Sequence, residues 1–262
     1  MNKKLTCLLL SIFLGIFLIG CGNKLNNSDT ETTTTELTIS AAASLKEAMA
    51  DIETLFKEEM PSITLTFNFG SSGSLQRQIE QGAPSDVFIS AGKSQMTVLD
   101  EKGLLLDGTN KDLVKNSLVL IGPSDTTVTS LGDLKSDSVK QIAVGEPSSV
   151  PAGKYADEVL TNLGIKDEIS SKLVFAKDVK EVLAWTTSGN AEAGFVYSSD
   201  AISSDSAKVI EEIPEDLHSP ITYPVAVIKD TKNENEAKAF EDFLFTEDCQ
   251  KIFKKYGYTI IE

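Results

Sequence analysis

One arginine (Arg77), one histidine (His218) and one tryptophan (Trp185) are all that this chain of 262 residues carries of those three types. A lone histidine cannot supply the paired imidazoles of most zinc sites, and it leaves a nucleophile only one candidate base. No Gly-x-Ser-x-Gly turn, the device that exposes a hydrolase serine, is present. Cations are outnumbered: 24 Lys and Arg face 39 Asp and Glu, a formal net charge of −15. With no basic patch, nucleic acid is excluded as a partner. The acidic residues are spread over helix surfaces rather than clustered with His or Cys, which argues against a protein that binds metal cations. Cysteine is scarce too. Of Cys7, Cys21 and Cys249, only Cys249 is expected inside the mature fold, as a small buried apolar residue, so no disulfide is expected there.

What is there begins with an export signal. Lys3 and Lys4 precede an apolar run from Leu5 to Ile19, too short for a spanning helix and suited to a secretory leader. Leu18-Ile19-Gly20-Cys21 resembles a bacterial lipobox, which implies removal of residues 1–20 and a lipid on Cys21. Residues 21–36, rich in Asn, Ser and Thr, read as a flexible linker. These features place the folded part outside the cytoplasm, anchored to the cell membrane.

From residue 37 onward, strand and helix patterns alternate. Ile63, Leu65, Phe67 and Phe69 alternate with polar residues as in a strand with one buried face. Leu45, Ala48, Met49, Ile52, Leu55 and Phe56 share one helical face. Strands are expected over 37–40, 63–69, 86–90, 117–121, 141–144, 172–175, 193–197, 209–213 and 223–228. Helices are expected over 75–81, 93–102, 151–163 and 179–187, around 237–244, and over 249–256. This is an α/β pattern, and its sheets are expected to be largely parallel, with ligands at the carboxyl ends of strands. The polar segments 111–116 and 214–222 read as loops where the chain crosses between two domains. Domain I is expected over 37–116 and 226–262, and domain II over 117–225.

Four helix starts share one character. Ser44 with Glu47 has the spacing of a capping box. Ser72 follows Phe69-Gly70-Ser71 at the end of a strand. Pro151 suits a first helical position and leaves the Ala152 N–H free. Asp178 and Glu181 make a second capping pair ahead of Val179. The first N–H groups of each helix lack intrahelical acceptors, so small neutral residues there make a ready anion site. The long-range field of a −15 chain repels anions, but salt screens it beyond ~8–10 Å, so nearby dipoles would have to do the holding. Tyr197, at a strand end beside Ser198-Ser199, is a further candidate. Arg77 lies within a helix, where a structural ion pair is expected, and Trp185 is expected in packing. His218 is expected to be exposed in a polar loop.

Ala41-Ala42-Ala43-Ser44-Leu45, Ser71-Ser72 ahead of the run from Leu75 to Asp86, Val150-Pro151-Ala152-Gly153, Tyr197-Ser198-Ser199-Asp200-Ala201, Tyr223-Pro224-Val225-Ala226-Val227 and the run Phe253 to Tyr258 resemble the substrate-binding protein of the molybdate ABC transporter. The likeness runs from about Leu37 to the end. It implies a two-domain periplasmic-binding-protein fold of type II, with a hinge and an interdomain ligand cleft. It implies a molybdate or tungstate oxyanion, held through its oxygens by Ser44, Ser72, Ala152, Val179 and Tyr197 with no direct metal ligand. It also implies no cofactor and no catalysis, delivery to an ABC permease, and a monomer. Gly73 departs from the pattern, since many relatives carry serine there; it is expected to keep the turn open without changing the ligand. Two other readings remain: a binder of sulfate or another tetrahedral oxyanion, and an exported serine hydrolase using Ser44 or Ser72 with His218 as base.

Overall fold

The structure is a computed structural model that describes residues 34–261. The signal segment 1–20, the lipidation position Cys21 and most of the linker lie outside the described residues. The chain opens with β1 (Thr35–Ala42), a tight turn (Ala43–Leu45), α1 (Lys46–Glu59), β2 (Ile63–Gly70), α2 (Ser72–Glu80), β3 (Val87–Ile89), α3 (Lys93–Glu101) and β4 (Lys111–Lys115). It continues through β5 (Leu118–Pro123), β6 (Ile142–Gly145), α4 (Pro151–Asn162), α5 (Lys166–Ile169), β7 (Leu173–Ala176), α6 (Val179–Thr187), β8 (Ala193–Tyr197), α7 (Ser198–Ile202) and β9 (Ala207–Glu212). It ends with β10 (Thr222–Val227), α8 (Glu234–Phe243), α9 (Glu247–Lys255) and β11 (Thr259–Ile260). Two sheets result, ordered β11-β4-β10-β3-β1-β2 and β7-β6-β8-β5-β9.

The helices form where an apolar stripe can be covered. Ala48, Met49, Ile52 and Phe56 of α1 are buried, and the Phe56 ring stands edge-on to Phe240 and Phe243 of α8, with centroids 5.2 and 5.0 Å away. Such aromatic pairs add ~0.5–1.5 kcal/mol each beyond the area they bury. Ile63 and Leu65 of β2 are buried between exposed Thr64 and Thr66, as their alternation predicts.

Four expectations need correction. The linker does not reach Glu36, because Thr35 and Glu36 already pair with Ile63 and Thr64 in β1–β2. Residues 111–115 are strand β4 rather than loop: Leu113 and Val114 are buried, and the strand is held between β10 and β11. The expected boundary between 225 and 226 falls inside β10, which pairs with β3 and β4 along its length and so belongs with the first sheet. The sheets are mixed rather than largely parallel. β1 runs parallel to β2 and β3, and β6 to β7 and β8, whereas β4, β5 and β10 make antiparallel pairs. The reason lies in the path. β5 enters its sheet from the end where β8 finishes, with Leu118 opposite Tyr197, so it must run against its neighbour.

Candidate functional site

The carboxyl ends of β1, β2, β3, β6, β7 and β8 converge on one cavity, so both sheets contribute to it. Its cavity volume is about 10 Å³, far below the ~300–1,000 Å³ of ordinary small-molecule pockets. Ser44, Ser72, Ala152, Val179 and Tyr197 all line it, and none is more than 4% exposed. No charged residue lines it among the described residues.

Each of these positions follows from local chain geometry. Ser72 is the first residue of α2, behind an extended Ser71. Val179 is the first of α6, where the Asp178 carboxylate accepts from the Glu181 N–H at 2.9 Å and Glu181 Oε2 accepts from the Lys177 N–H at 2.8 Å. Ala152 follows Pro151 at the start of α4. Ser44 sits in the turn ahead of α1. At such positions the backbone N–H has no acceptor within its own helix. Four helix starts therefore aim main-chain donors and positive dipole ends at one space. Gly153 makes this possible in α4: a Cβ there would stand 2.0 Å from the Gly145 carbonyl oxygen, so any side chain would lift the helix start off the end of β6.

Hydroxyls complete the lining. The Ala91 N–H donates to Ser72 Oγ at 2.9 Å, leaving the serine its own proton to give. Ser44 Oγ lies 2.9 Å from Tyr223 Oη, and the Ser44 carbonyl accepts from Tyr258 Oη at 2.8 Å. Tyr197 Oη donates to the Ala91 carbonyl at a long 3.5 Å. Burial pushes the Tyr197 and Tyr223 phenols well above their usual range, so both stay protonated. The Lys180 ammonium, next in the chain to Val179, is spent on two carboxylates, at 2.6 Å from Glu47 Oε2 and 2.8 Å from Asp200 Oδ1. The outcome is a small space with no charged residue in its lining and with donors around it, suited to a compact anion whose oxygens only accept.

Several sequence readings fare differently. The Ser44–Glu47 capping box does not form; Ser44 faces Tyr223 and Glu47 faces Lys180. Arg77 neither lines the cavity nor makes an ion pair among the described residues, and its Nη2 donates to Ser74 Oγ at 3.2 Å. His218 is half-buried rather than exposed, its ring tilted against Tyr155 with centroids 5.8 Å apart. Trp185 packs partly buried on the main core, and Cys249 is fully buried. No described helix is long and apolar enough to cross a membrane.

A family profile described as bacterial extracellular solute-binding protein matches residues 37–259. The chain belongs to that family. Among its relatives, the molybdate-binding protein ModA of Escherichia coli (strain K12) is 42% identical over 231 residues, which are 86% of this chain and 89% of ModA. The lipoprotein YvgL of Bacillus subtilis (strain 168), assigned as an ABC transporter substrate-binding component, is 40% identical over 261 residues, 99% of each chain. Among solved structures, a substrate-binding domain assigned to a molybdenum ABC transporter from Clostridium difficile is 62% identical. It superimposes with a TM-score of 0.68 over 87% of this chain and 100% of that one. The motif resemblance and the two-lobed α/β fold are both borne out.

As a solute-binding protein rather than an enzyme, the chain needs no nucleophile, and among the described residues neither Ser44 nor Ser72 has a basic partner. Ser72 Oγ is held by an amide N–H and Ser44 Oγ by a phenol, while His218 Nδ1 faces the Ser219 carbonyl at 2.8 Å. The hydrolase reading falls. The sequence reading missed Ala91, Tyr223 and Asn116. Tyr223 stood in a recognised motif without a role, and nothing local marks Ala91 or Asn116.

Proposed function

We propose that this solute-binding protein captures molybdate, and tungstate with it, between its two lobes and delivers the oxyanion to an ABC permease. One observation carries the reading: donors from both sheets line one small buried space with no charged residue in its lining. A fully deprotonated tetrahedral dianion has four oxygens that accept, and charge-assisted bonds to them are roughly twice as strong as neutral ones. Ser44, Ser72 and Tyr197 offer hydroxyls, and Ala152 and Val179 offer main-chain N–H. Phosphate near neutrality keeps a proton that would find no acceptor, at a cost of about 1–3 kcal/mol. Sulfate has the same bonding pattern and a smaller radius, so its rejection rests on cage size.

In this reading the lobes are 34–116 with 222–261, and 117–213, joined by the crossings between β4 and β5 and ahead of β10. The mature chain works as a monomer held to the membrane by a lipid on Cys21. The naming of YvgL as a lipoprotein supports the anchor, and a Cys21→Ser chain is expected in the medium instead of the membrane fraction. Calorimetric titration with molybdate, tungstate, sulfate and phosphate tests the ligand. Tight binding of the first two, weak sulfate binding and still weaker phosphate binding are expected; tight sulfate binding without molybdate binding overturns the assignment.

A further inference from the structure

Asn116 lies in the crossing between β4 and β5, and its side-chain orientation is not arbitrary. The Ser117 N–H donates to Asn116 Oδ1 at 2.9 Å, and a backbone N–H can only donate. The amide NH₂ must therefore face the other way, where it meets Ser199 Oγ at 2.8 Å and Tyr223 Oη at 3.3 Å. Tyr223, fully buried, receives that N–H on its oxygen and has one proton of its own to place. Its neighbour for that proton is Ser44 Oγ, 2.9 Å away. Ser44 then accepts from Tyr223, and its own proton is left for the cavity it lines. At Ser72 a single bond does the same, since the Ala91 N–H occupies Oγ.

Resting on the oxyanion reading above, we propose that Asn116 and Tyr223 are positioning residues that set the direction of a hydrogen-bond chain, Ser117 N–H to Asn116 to Tyr223 to Ser44, and so fix the Ser44 hydroxyl as a donor. The chain thereby sets specificity: it denies an acceptor to any oxyanion that carries a proton. Without it, the Ser44 hydroxyl can rotate and accept, and a monohydrogen anion gains a partner.

Two substitutions separate this role from plain packing. Tyr223→Phe removes the chain and frees the Ser44 hydroxyl. Asn116→Asp is nearly isosteric but replaces the NH₂ by an acceptor, so the Tyr223 proton turns toward Asp, Ser44 donates to Tyr223, and lone pairs face the cavity. The experiment measures molybdate, sulfate and phosphate affinities calorimetrically for wild type, both single variants and the double variant. In Tyr223→Phe the ratio of molybdate to phosphate affinity is expected to fall about tenfold or more. Asn116→Asp is expected to lose more molybdate affinity than Tyr223→Phe, and adding Tyr223→Phe to it is expected to restore part of that loss. A merely structural role predicts equal losses for both anions and no rescue, as does simple repulsion by the new carboxylate; either result overturns the proposal. Wild type binding sulfate but not molybdate would overturn the ligand reading alone, with the same ratios and rescue then read on sulfate. Wild type binding no oxyanion overturns both.

Discussion

The Gly73 N–H donates to the Ser149 carbonyl at 2.9 Å, tying the first turn of α2 to the loop that leads into α4. A Cβ at position 73 would lie 2.6 Å from that oxygen and 2.8 Å from the Ser149 Cα. Gly73 is therefore a contact between the lobes, and the expectation that it merely keeps a turn open undervalues it.

Gly73→Ala is expected to weaken oxyanion binding by an amount corresponding to ~1–3 kcal/mol, the usual cost of overpacking. The ligand-free fold should be as stable as wild type or slightly more so, because alanine favours a helix by roughly 0.5–1 kcal/mol over glycine. Titration beside thermal melting checks both halves. Unchanged affinity would remove Gly73 from lobe closure.

The hydroxyl donors should be individually costly to lose. Ser72→Ala and Tyr197→Phe are each expected to weaken molybdate binding by about 1.5–3 kcal/mol, the worth of a hydrogen bond to a charged acceptor. Because burial holds the Tyr197 phenol well above its usual range, its contribution should not vary between pH 6 and 9. Calorimetry across that interval is the measurement.

Lys180 bridges Glu47 of α1 and the fully buried Asp200 of α7. Burial already pushes the Asp200 carboxyl up against the pull of Lys180, so Lys180→Met would leave it buried without its counter-charge, and a loss of ~3–5 kcal/mol in unfolding free energy is expected. Adding Asp200→Asn should recover much of it. Urea denaturation of the two variants decides; equal instability in both would show that packing, not charge, is at stake.

Glu241 supplies a pH dependence. Burial pushes its carboxyl up to about 7, from an ordinary 4.5, against the pull of Lys111, whose Nζ is 3.3 Å away. The folded state holds this proton more tightly than the unfolded state. Its stabilising contribution is therefore complete below about pH 4.5 and lost as pH rises through about 7. The loss is on the order of 3 kcal/mol at most. Glu241→Gln should flatten unfolding free energy across that window, as measured by denaturant titrations at several pH values.

Segments with strong local signals were legible in the sequence. The helix 179–187 and the strand 193–197 match α6 and β8 end to end, because the Asp178 cap marks one start and an unbroken buried run marks the other. β4 was not legible. Lys111, Asp112 and Lys115 make it look like a loop, and what holds it is pairing with β10 and β11, more than 100 residues downstream. Ser44 shows the same limit on a smaller scale. Its spacing to Glu47 promises a local cap, yet its hydroxyl turns to Tyr223, a residue 179 positions away. All five expected residues line the cavity. The groups that orient their hydroxyls come from other strands and crossings, where no short pattern could announce them.

Ala152 and Val179 face the cavity from the first turns of α4 and α6, and in the proposed site their contribution is main chain alone. An alanine scan for lost transport would therefore recover the serines and the tyrosine and pass over these two positions. That part of the recognition tolerates exchange among small apolar side chains, so descendants of this gene should shift ligand preference by exchanging hydroxyls, while the amide half of the clasp is inherited intact.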